Sequence, residues 1–355
     1  MLELIYISIF ATLFATILVA ALRPIAIYLK LVDRPNSRKV HKGDIPLVGG
    51  PVILVVVLIG VLVFIKNPPW SALFAATMLV ILGVIDDRQP VPATIKLVFH
   101  LAAATIVVMG ENLAISNIGV LTQIYPLPAF SALHTVLAVF AITVSINAFN
   151  MIDGIDGLSA SMALLALIHA VIAFDLIIGG APADYATFAF VVSGALAGFL
   201  MFNLEIFNSR KVFLGDSGSM LIGLIIAIAL IGASQETNRL AGSPNIPPTL
   251  CLWILAIPIT DITIIIIRRL ANGRSPLAPD RTHLHHKIME YGFSTRRTLL
   301  ILILSAVGAF WMGLVLTLMF GEIASFAGYL AFIPFYYFSI LRVCKFCSRT
   351  SMIRS

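Results

Sequence analysis

The sequence predicts an all-α, polytopic integral membrane protein, and three observations carry that class. The chain of 355 residues is 60% hydrophobic and only 11% charged, with a mean hydropathy of +1.03, far more apolar than a water-facing surface tolerates. Its apolar residues form runs long enough to cross about 30 Å of hydrocarbon as helices. The runs are continuous rather than alternating, which indicates helices and not a barrel.

Eleven runs qualify: 2–22, 46–65, 71–85, 94–110, 131–150, 157–180, 185–203, 217–233, 247–267, 298–320 and 325–341. The third is short for a span. The first opens on Glu3 instead of a basic region and runs past the length of a leader peptide, so it reads as a retained helix. No connection is long enough for a separate soluble domain. The expectation is therefore one membrane-embedded domain over 1–355, ending in a short basic tail at 342–355. Cys251, Cys344 and Cys347 give no disulfide framework, and a single Cys-x-x-Cys pair lacks the second pair that a zinc site needs.

With eleven spans the connections alternate between two sides. One side holds every one of the 23 lysines and arginines except Lys66 and Arg239. The positive-inside rule makes that side cytoplasmic, with the N-terminus outside and the C-terminus inside. The net charge of +6 thus reflects topology and calls for no nucleic-acid partner. Four polar motifs that played no part in setting the orientation fall on the same side: VIDDRQP (84–90), NMIDGIDG (150–157), FLGDSGS (213–219) and PDRTHLHH (279–286). The outer connections are short and poor in metal ligands or bases.

Each motif has a bland reading and a chemical one. Asp86 and Asp87 end the third run, where carboxylates oppose the helix dipole and repel each other unless a cation lies beside them. Asn147, Asn150, Asp153 and Asp156 recur every three residues. Gly154 and Gly157 predict a helix break after about Met151, leaving the aspartates on a loop that a ligand can approach closely. Capping accounts for one of these four groups but not for all. Asp216 lies between glycines at a helix start just after Lys211, as a cap or a magnesium ligand, and the free N–H groups of that helix end suit a phosphate. The GDSGS stretch fails the last position of the Gly-x-Ser-x-Gly nucleophile elbow. The three histidines of PDRTHLHH match no closed zinc spacing; with Arg281 they suit a diphosphate. Asp261, inside the ninth run, is either functional or paired with Arg268 on the same helix face. His100 and His134 read as satisfied helix residues.

Carboxylates, glycine-rich turns, lysines and His/Arg groups on one face of a bilayer fit phosphoryl transfer with magnesium, between a lipid and a water-soluble nucleotide. A transporter is the competing class. It would place its ionisable groups near the bilayer midplane, where this chain offers mainly Asp261.

The segments NAFNMIDGIDGL, the Asp-Asp pair after the third run, FLGDSGS and PDRTHLHH resemble the signatures of polyprenyl-phosphate N-acetylhexosamine-1-phosphate transferases. The resemblance runs from DRPNSRKVHKGDIPLVGG (33–50) to SPLAPDRTHLHHKIMEYGFSTRR (275–297). Relatives that transfer phospho-MurNAc-pentapeptide carry a triple-histidine motif. His283-Leu284-His285-His286 departs from it and argues against that alternative.

The resemblance implies a reaction in which UDP-GlcNAc and undecaprenyl phosphate give undecaprenyl-diphosphate-GlcNAc and UMP. It would need magnesium or manganese and would be the first lipid-linked step of a surface polysaccharide such as O-antigen or common antigen. It also implies a bacterial cytoplasmic (inner) membrane location with the site facing the cytoplasm, and leaves a homodimer open. Matched residue by residue, Asp86, Asp87 and Asp153 would be catalytic, and Asp216, Asn150 and Asp86 would hold the metal. Asp156, Lys42, Lys96 and Asn147 would contact the nucleotide, and Arg281, His283, His285 and His286 the sugar and diphosphate. The lipid phosphate, with a second pKa near about 6, scarcely needs a base. Direct attack on the β-phosphorus is therefore expected, with a covalent aspartyl-phosphate as the alternative.

Overall fold

The computed structural model describes residues 2–34, 43–119, 132–206, 210–235, 245–275 and 282–353, with side chains in the last segment through Phe346. Twelve helices occur among the described residues. They are α1 (Leu2–Tyr28), α2 (Gly49–Phe64), α3 (Trp70–Arg88), α4 (Ala93–Gly110), α5 (Ala132–Ile152) and α6 (Leu158–Ile178), then α7 (Ala183–Asn203), α8 (Gly215–Ser234), α9 (Pro248–Ile254), α10 (Ala256–Ala271), α11 (Leu284–Glu290) and α12 (Thr295–Ile353). Eight are long and apolar enough to cross a membrane, or nine if α9 and α10 form one bent span; α2 is shorter. Large apolar side chains such as Ile17, Phe74, Phe140, Leu304 and Phe335 are exposed on the outer helix faces, as expected where lipid is the solvent. The protein is a multi-pass, all-α membrane protein.

Each of the eleven apolar runs coincides with a helix or part of one, with two departures that have local causes. The ninth run breaks into α9 and α10, bent by 80° at Leu255. Pro258 explains the break: it has no N–H for the carbonyl of Ile254, and its ring crowds that carbonyl. The last two runs lie within α12, which turns at Gly321 with φ 80° and ψ 175°, a conformation that only glycine adopts readily. The turn sends the second arm back along the first. Thr317 Oγ1 donates to Ser325 Oγ at 2.8 Å, and a Cβ on Gly328 would touch Leu316. Trp253 of α9 closes this hairpin, donating Nε1–H to Ser325 Oγ at 3.0 Å.

α8 is the central helix, buried along nearly its whole length from Ser217 to Ser234. Its neighbours approach through small residues, the usual basis of close helix packing in membranes. Gly223 lets α5 come so near that Ser145 Oγ donates to its carbonyl at 2.8 Å. At the start of α8, a Cβ on Gly83 of α3 would lie 2.2 Å from Ser217 Cα, and one on Gly50 of α2 would meet Ser217 and Gly218. The peripheral α1 buries only Ile7, Ala11, Ala15, Val19 and Ala26 and lies against Gly194 and Gly198 of α7.

A short antiparallel pair, β1 (Val32–Asp33) with β2 (Ile45–Pro46), lies beside the α8 entry. Phe213 N–H donates to Pro46 O at 2.9 Å, and Gly49 and Gly50 N–H donate to Phe213 O and Leu214 O. The chain leading into α8 is thus fixed by backbone bonds as well as by packing.

Helix propensity alone makes Ala better than Gly by about 1 kcal/mol, whereas the contact at Gly83 forbids a Cβ. Gly83→Ala is therefore expected to lower the thermal unfolding temperature in detergent, because α3 must separate from α8. Gly308→Ala in α12, where a Cβ meets nothing within 4 Å, is expected to leave it unchanged or raise it. Equal responses from the two variants would contradict this packing account.

Candidate active site

Four helix ends meet at one rim: the last turn of α3, the first turn of α4, the end of α5 and the start of α8. Pro90 and Pro92 stop α3 and reopen the chain as α4. Asp86 spans that junction. Its Oδ1 accepts Val91 N–H at 2.6 Å and its Oδ2 accepts Lys96 Nζ at 2.8 Å. The Lys96 ammonium also lies 3.4 Å from Asp216 Oδ2. Asp216 Oδ1 accepts Asn150 Nδ2 at 3.0 Å, and the same amide donates to Ser219 Oγ at 3.0 Å. Residues from three separate motifs therefore form one bonded group.

Asp87 has a different role. Its Oδ1 accepts Asp216 N–H at 2.8 Å, and its Oδ2 accepts Ser217 Oγ–H at 3.0 Å and Ser217 N–H at 3.4 Å. The expectation of free N–H groups at the α8 entry is corrected here: a carboxylate from α3 already fills the first turn. This resolves the unfavourable placement seen in the sequence. Asp87 ends its own helix but begins another, where the dipole favours its charge.

Asn147, one turn before Asn150, faces away from the group. Its Nδ2 bonds Thr143 O at 2.8 Å and lies 3.2 Å from His100 Nδ1. The three-residue spacing thus divides between two neighbours: Asn147 meets α4 and Asn150 meets α8. His100 gains a partner on one nitrogen, while its Nε2, like that of His134, is buried with no hydrogen bond among the described residues.

After Ile152 the helix breaks, as the glycines predicted. Asp153 lies on the loop between α5 and α6. Desolvation, then repulsion from Asp216, Asp87 and Asp156, pushes its carboxyl well above the usual carboxylate range. Asp156 accepts Lys211 Nζ at 2.6 Å; that ammonium lies 3.9 Å from Glu205 and over the Phe213 ring at 5.5 Å. Lys211 was visible in the sequence only as a neighbour of Asp216, so its partner could not be read there. Gly154 brings this loop against the histidine motif: a Cβ on it would overlap the His285 ring at Nε2.

His283, His285 and His286 stand together at the start of α11, with ring centroids 5.6 Å apart for the first pair and 4.2 Å for the second. Desolvation, with His286 and His283 adding repulsion, holds His285 well below the usual imidazole pKa. The pairing of Asp261 with Arg268 does not occur; Arg268 Nη1 donates to Tyr337 Oη at 2.9 Å instead. Asp261 bonds His283 Nδ1 at 2.8 Å and accepts Leu284 N–H at 2.7 Å. The bend before α10 thus supplies the anchor for the histidines. Lys42, Pro279, Asp280 and Arg281 lie outside the described residues.

Among the described residues, no three His, Cys, Asp or Glu side chains form a ready metal cage. The donors at the rim are oxygens of Asp86 and Asp216 and the amide of Asn150. This set fits magnesium, which takes one or two carboxylates and completes its shell with water and substrate phosphates.

The glycosyl transferase family 4 model matches residues 69–234, from the start of α3 to the end of α8, including Asp86, Asp87, Asn150 and Asp216. The undecaprenyl-phosphate alpha-N-acetylglucosaminyl 1-phosphate transferase of Salmonella typhi is 34% identical over 304 residues, 84% of this chain and 80% of the relative. The protein of that name from Escherichia coli strain K12 is 33% identical over 303 residues, with the same coverage. That of Pasteurella multocida strain Pm70 is 35% identical over 333 residues, 91% of this chain and 90% of its own length. At that identity and coverage, with the rim carboxylates inside the matched region, the chain belongs to glycosyl transferase family 4.

Proposed function

We propose that this chain transfers GlcNAc-1-phosphate from UDP-GlcNAc to undecaprenyl phosphate, forming undecaprenyl-diphosphate-GlcNAc and UMP at the cytoplasmic face of a bacterial inner membrane. The observation that carries the reading is the bonded group of Asp86, Lys96, Asp216 and Asn150, which joins the three motifs at one helix rim. The names of the relatives supply the acceptor, undecaprenyl phosphate, and the transferred N-acetylglucosaminyl 1-phosphate group; the UDP donor follows from the motif resemblance, and the asymmetry of Lys and Arg supports the orientation. Magnesium or manganese, held by Asp216, Asp86 and Asn150, would neutralise charge on the diphosphate.

The reaction is a displacement at the UDP β-phosphorus. An oxygen of the lipid phosphate forms the new P–O bond, and the old bond breaks with its electron pair going to UMP. Asp87 has both oxygens occupied by α8 donors, so it positions Asp216 rather than attacking phosphorus. This supports direct attack over an aspartyl-phosphate on Asp87. Lys96 would bind phosphate oxygens, and the Lys211–Asp156 pair would meet the nucleotide. His285, beside Gly154, and His286 would wall the sugar-diphosphate side. Leu284 and His285 are both buried, at 2% and 1% exposed, and His283 is buried as well, so His286 is the histidine of the motif with the more open side chain.

Membranes carrying the protein are expected to move radiolabel from UDP-GlcNAc into an organic-phase lipid. Chelation should abolish the transfer and added magnesium restore it, and Asp216→Ala should reduce it by roughly a hundredfold or more. Intact activity in Asp216→Ala would overturn the assignment. Competition with UDP-GalNAc and UDP-MurNAc-pentapeptide reads the sugar preference directly.

The Asp261 clip gives a separable outcome. Asp261→Ala leaves two buried donors unpaired, at about 1–3 kcal/mol each, and should lower thermal stability. Asp261→Asn can still accept Leu284 N–H, but its amide must donate to His283, which switches the imidazole tautomer. That variant should unfold near the wild-type temperature yet lose most transfer activity.

Asp153 carries a pH signature. A carboxyl raised in the folded state contributes stability below its unfolded pKa, about 3.9, and loses it as pH rises through the folded value. In chelator, Asp153→Asn should therefore be more heat-stable than wild type at pH 7.5, with the gap closing toward pH 4. A variant no more stable at pH 7.5 would refute the crowding described at this loop.

A further inference from the structure

Lys96 occupies the space between the two carboxylates assigned to the metal, and it does so in a specific way. Each carboxylate has one oxygen committed elsewhere: Asp86 Oδ1 to Val91 N–H, and Asp216 Oδ1 to Asn150 Nδ2. The remaining oxygens, Asp86 Oδ2 and Asp216 Oδ2, are the two that the Lys96 ammonium bridges, at 2.8 and 3.4 Å. Lys96 also stands in the first turn of α4, where the helix dipole disfavours a cation. Its position is therefore explained by the carboxylates and not by its own helix.

A divalent cation on the same two oxygens and an ammonium between them cannot coexist cheaply, since like charges a few ångströms apart repel strongly even at moderate screening. The lysine stem, with four rotatable carbons and a side chain 22% exposed, can swing its ammonium away from the two oxygens. Asp86, with a side chain only 5% exposed, is held by the α3–α4 junction, and Asp216 by Asp87 and Asn150.

We infer that Lys96 is a built-in counter-ion that competes with the metal for Asp86 and Asp216. It yields these oxygens when a nucleoside diphosphate offers its phosphates as the alternative partner. The inference rests on the metal reading proposed above and adds a consequence to it. Metal alone binds weakly because it must evict a lysine, whereas metal with a diphosphate binds well because the evicted lysine gains the phosphate. The two ligands are thus positively coupled, each strengthening the other by the same factor.

The test is Mn2+ binding to the full-length protein in detergent, read as free Mn2+ by electron paramagnetic resonance, with metal alone and then with UDP. Without nucleotide, Lys96→Gln is expected to bind Mn2+ roughly tenfold tighter or more than wild type, while Lys96→Arg, which keeps the charge, stays close to wild type. UDP should tighten Mn2+ binding to wild type by a comparable factor and have a much smaller effect on Lys96→Gln. The wild-type arm stands even if a variant fails to fold. Equal or weaker Mn2+ binding by Lys96→Gln, or no effect of UDP on wild type, overturns the inference while leaving the metal site in place. Absence of Mn2+ binding by all three proteins, with or without UDP, instead removes the metal reading and the inference together.

Discussion

The arrangement depends first on a single carboxylate, Asp87, seated at the start of α8. Its bonds to Asp216 N–H and to Ser217 join the end of α3 to the beginning of α8, the most buried of the candidate membrane spans among the described residues. They also set the direction in which the Asp216 side chain leaves the backbone. Everything else at the rim is measured from that point: Asn150 and Lys96 find Asp216 because the first turn of α8 is fixed, and Asp86 is the adjacent residue on the same α3 turn. A charge that would weaken its own helix strengthens a neighbouring one, so the dipole penalty and the dipole gain are parts of one design.

Such a contact requires backbones to approach more closely than side chains allow. Gly83 and Gly50 face Ser217 with no room for a Cβ, and Gly223 does the same for α5 lower along α8. In hydrocarbon there is no hydrophobic force to press helices together, so small-residue contacts and interhelical hydrogen bonds must do so. The glycines near the motifs and those inside the spans therefore serve the same end. The first group opens the loop at Gly154 to His285, and the second brings α3 and α5 within reach of α8.

Much of this was legible in the sequence, and the reasons for the exceptions are physical. The eleven apolar runs and the helix break before Asp153 follow from local composition and spacing; the shared side of Asp86, Asn150 and Asp216 follows from the distribution of Lys and Arg, and their grouping as metal holders from the family resemblance. Pairings across distance do not. Nothing in the spacing tells Asp261 to choose His283 over Arg268, because the choice is made by the 80° bend at Leu255 and by where α11 begins. Lys211 meeting Asp156 and Lys96 bridging two carboxylates are likewise consequences of which helix ends come together. Asn147 shows the limit of periodicity: the same spacing that placed Asn150 on α8 placed Asn147 on α4, since successive turns of one helix can face different neighbours.

The balance of charge at the rim then bears on the chemistry. Among the described residues, Asp86, Asp87, Asp153, Asp156 and Asp216 stand with Lys96 and Lys211, and each of these two ammonium groups is already paired. An anionic diphosphate approaching these carboxylates is repelled by them, and Lys96 and Lys211 offset that repulsion less while they remain bound to carboxylates. On the proposed reading, a cation that arrives with the substrate would release the resident charges to it. Lysine suits this role better than arginine. A compact ammonium on a flexible stem can exchange one anion for another, whereas a planar guanidinium locked in a two-point pair gives up its partner less readily.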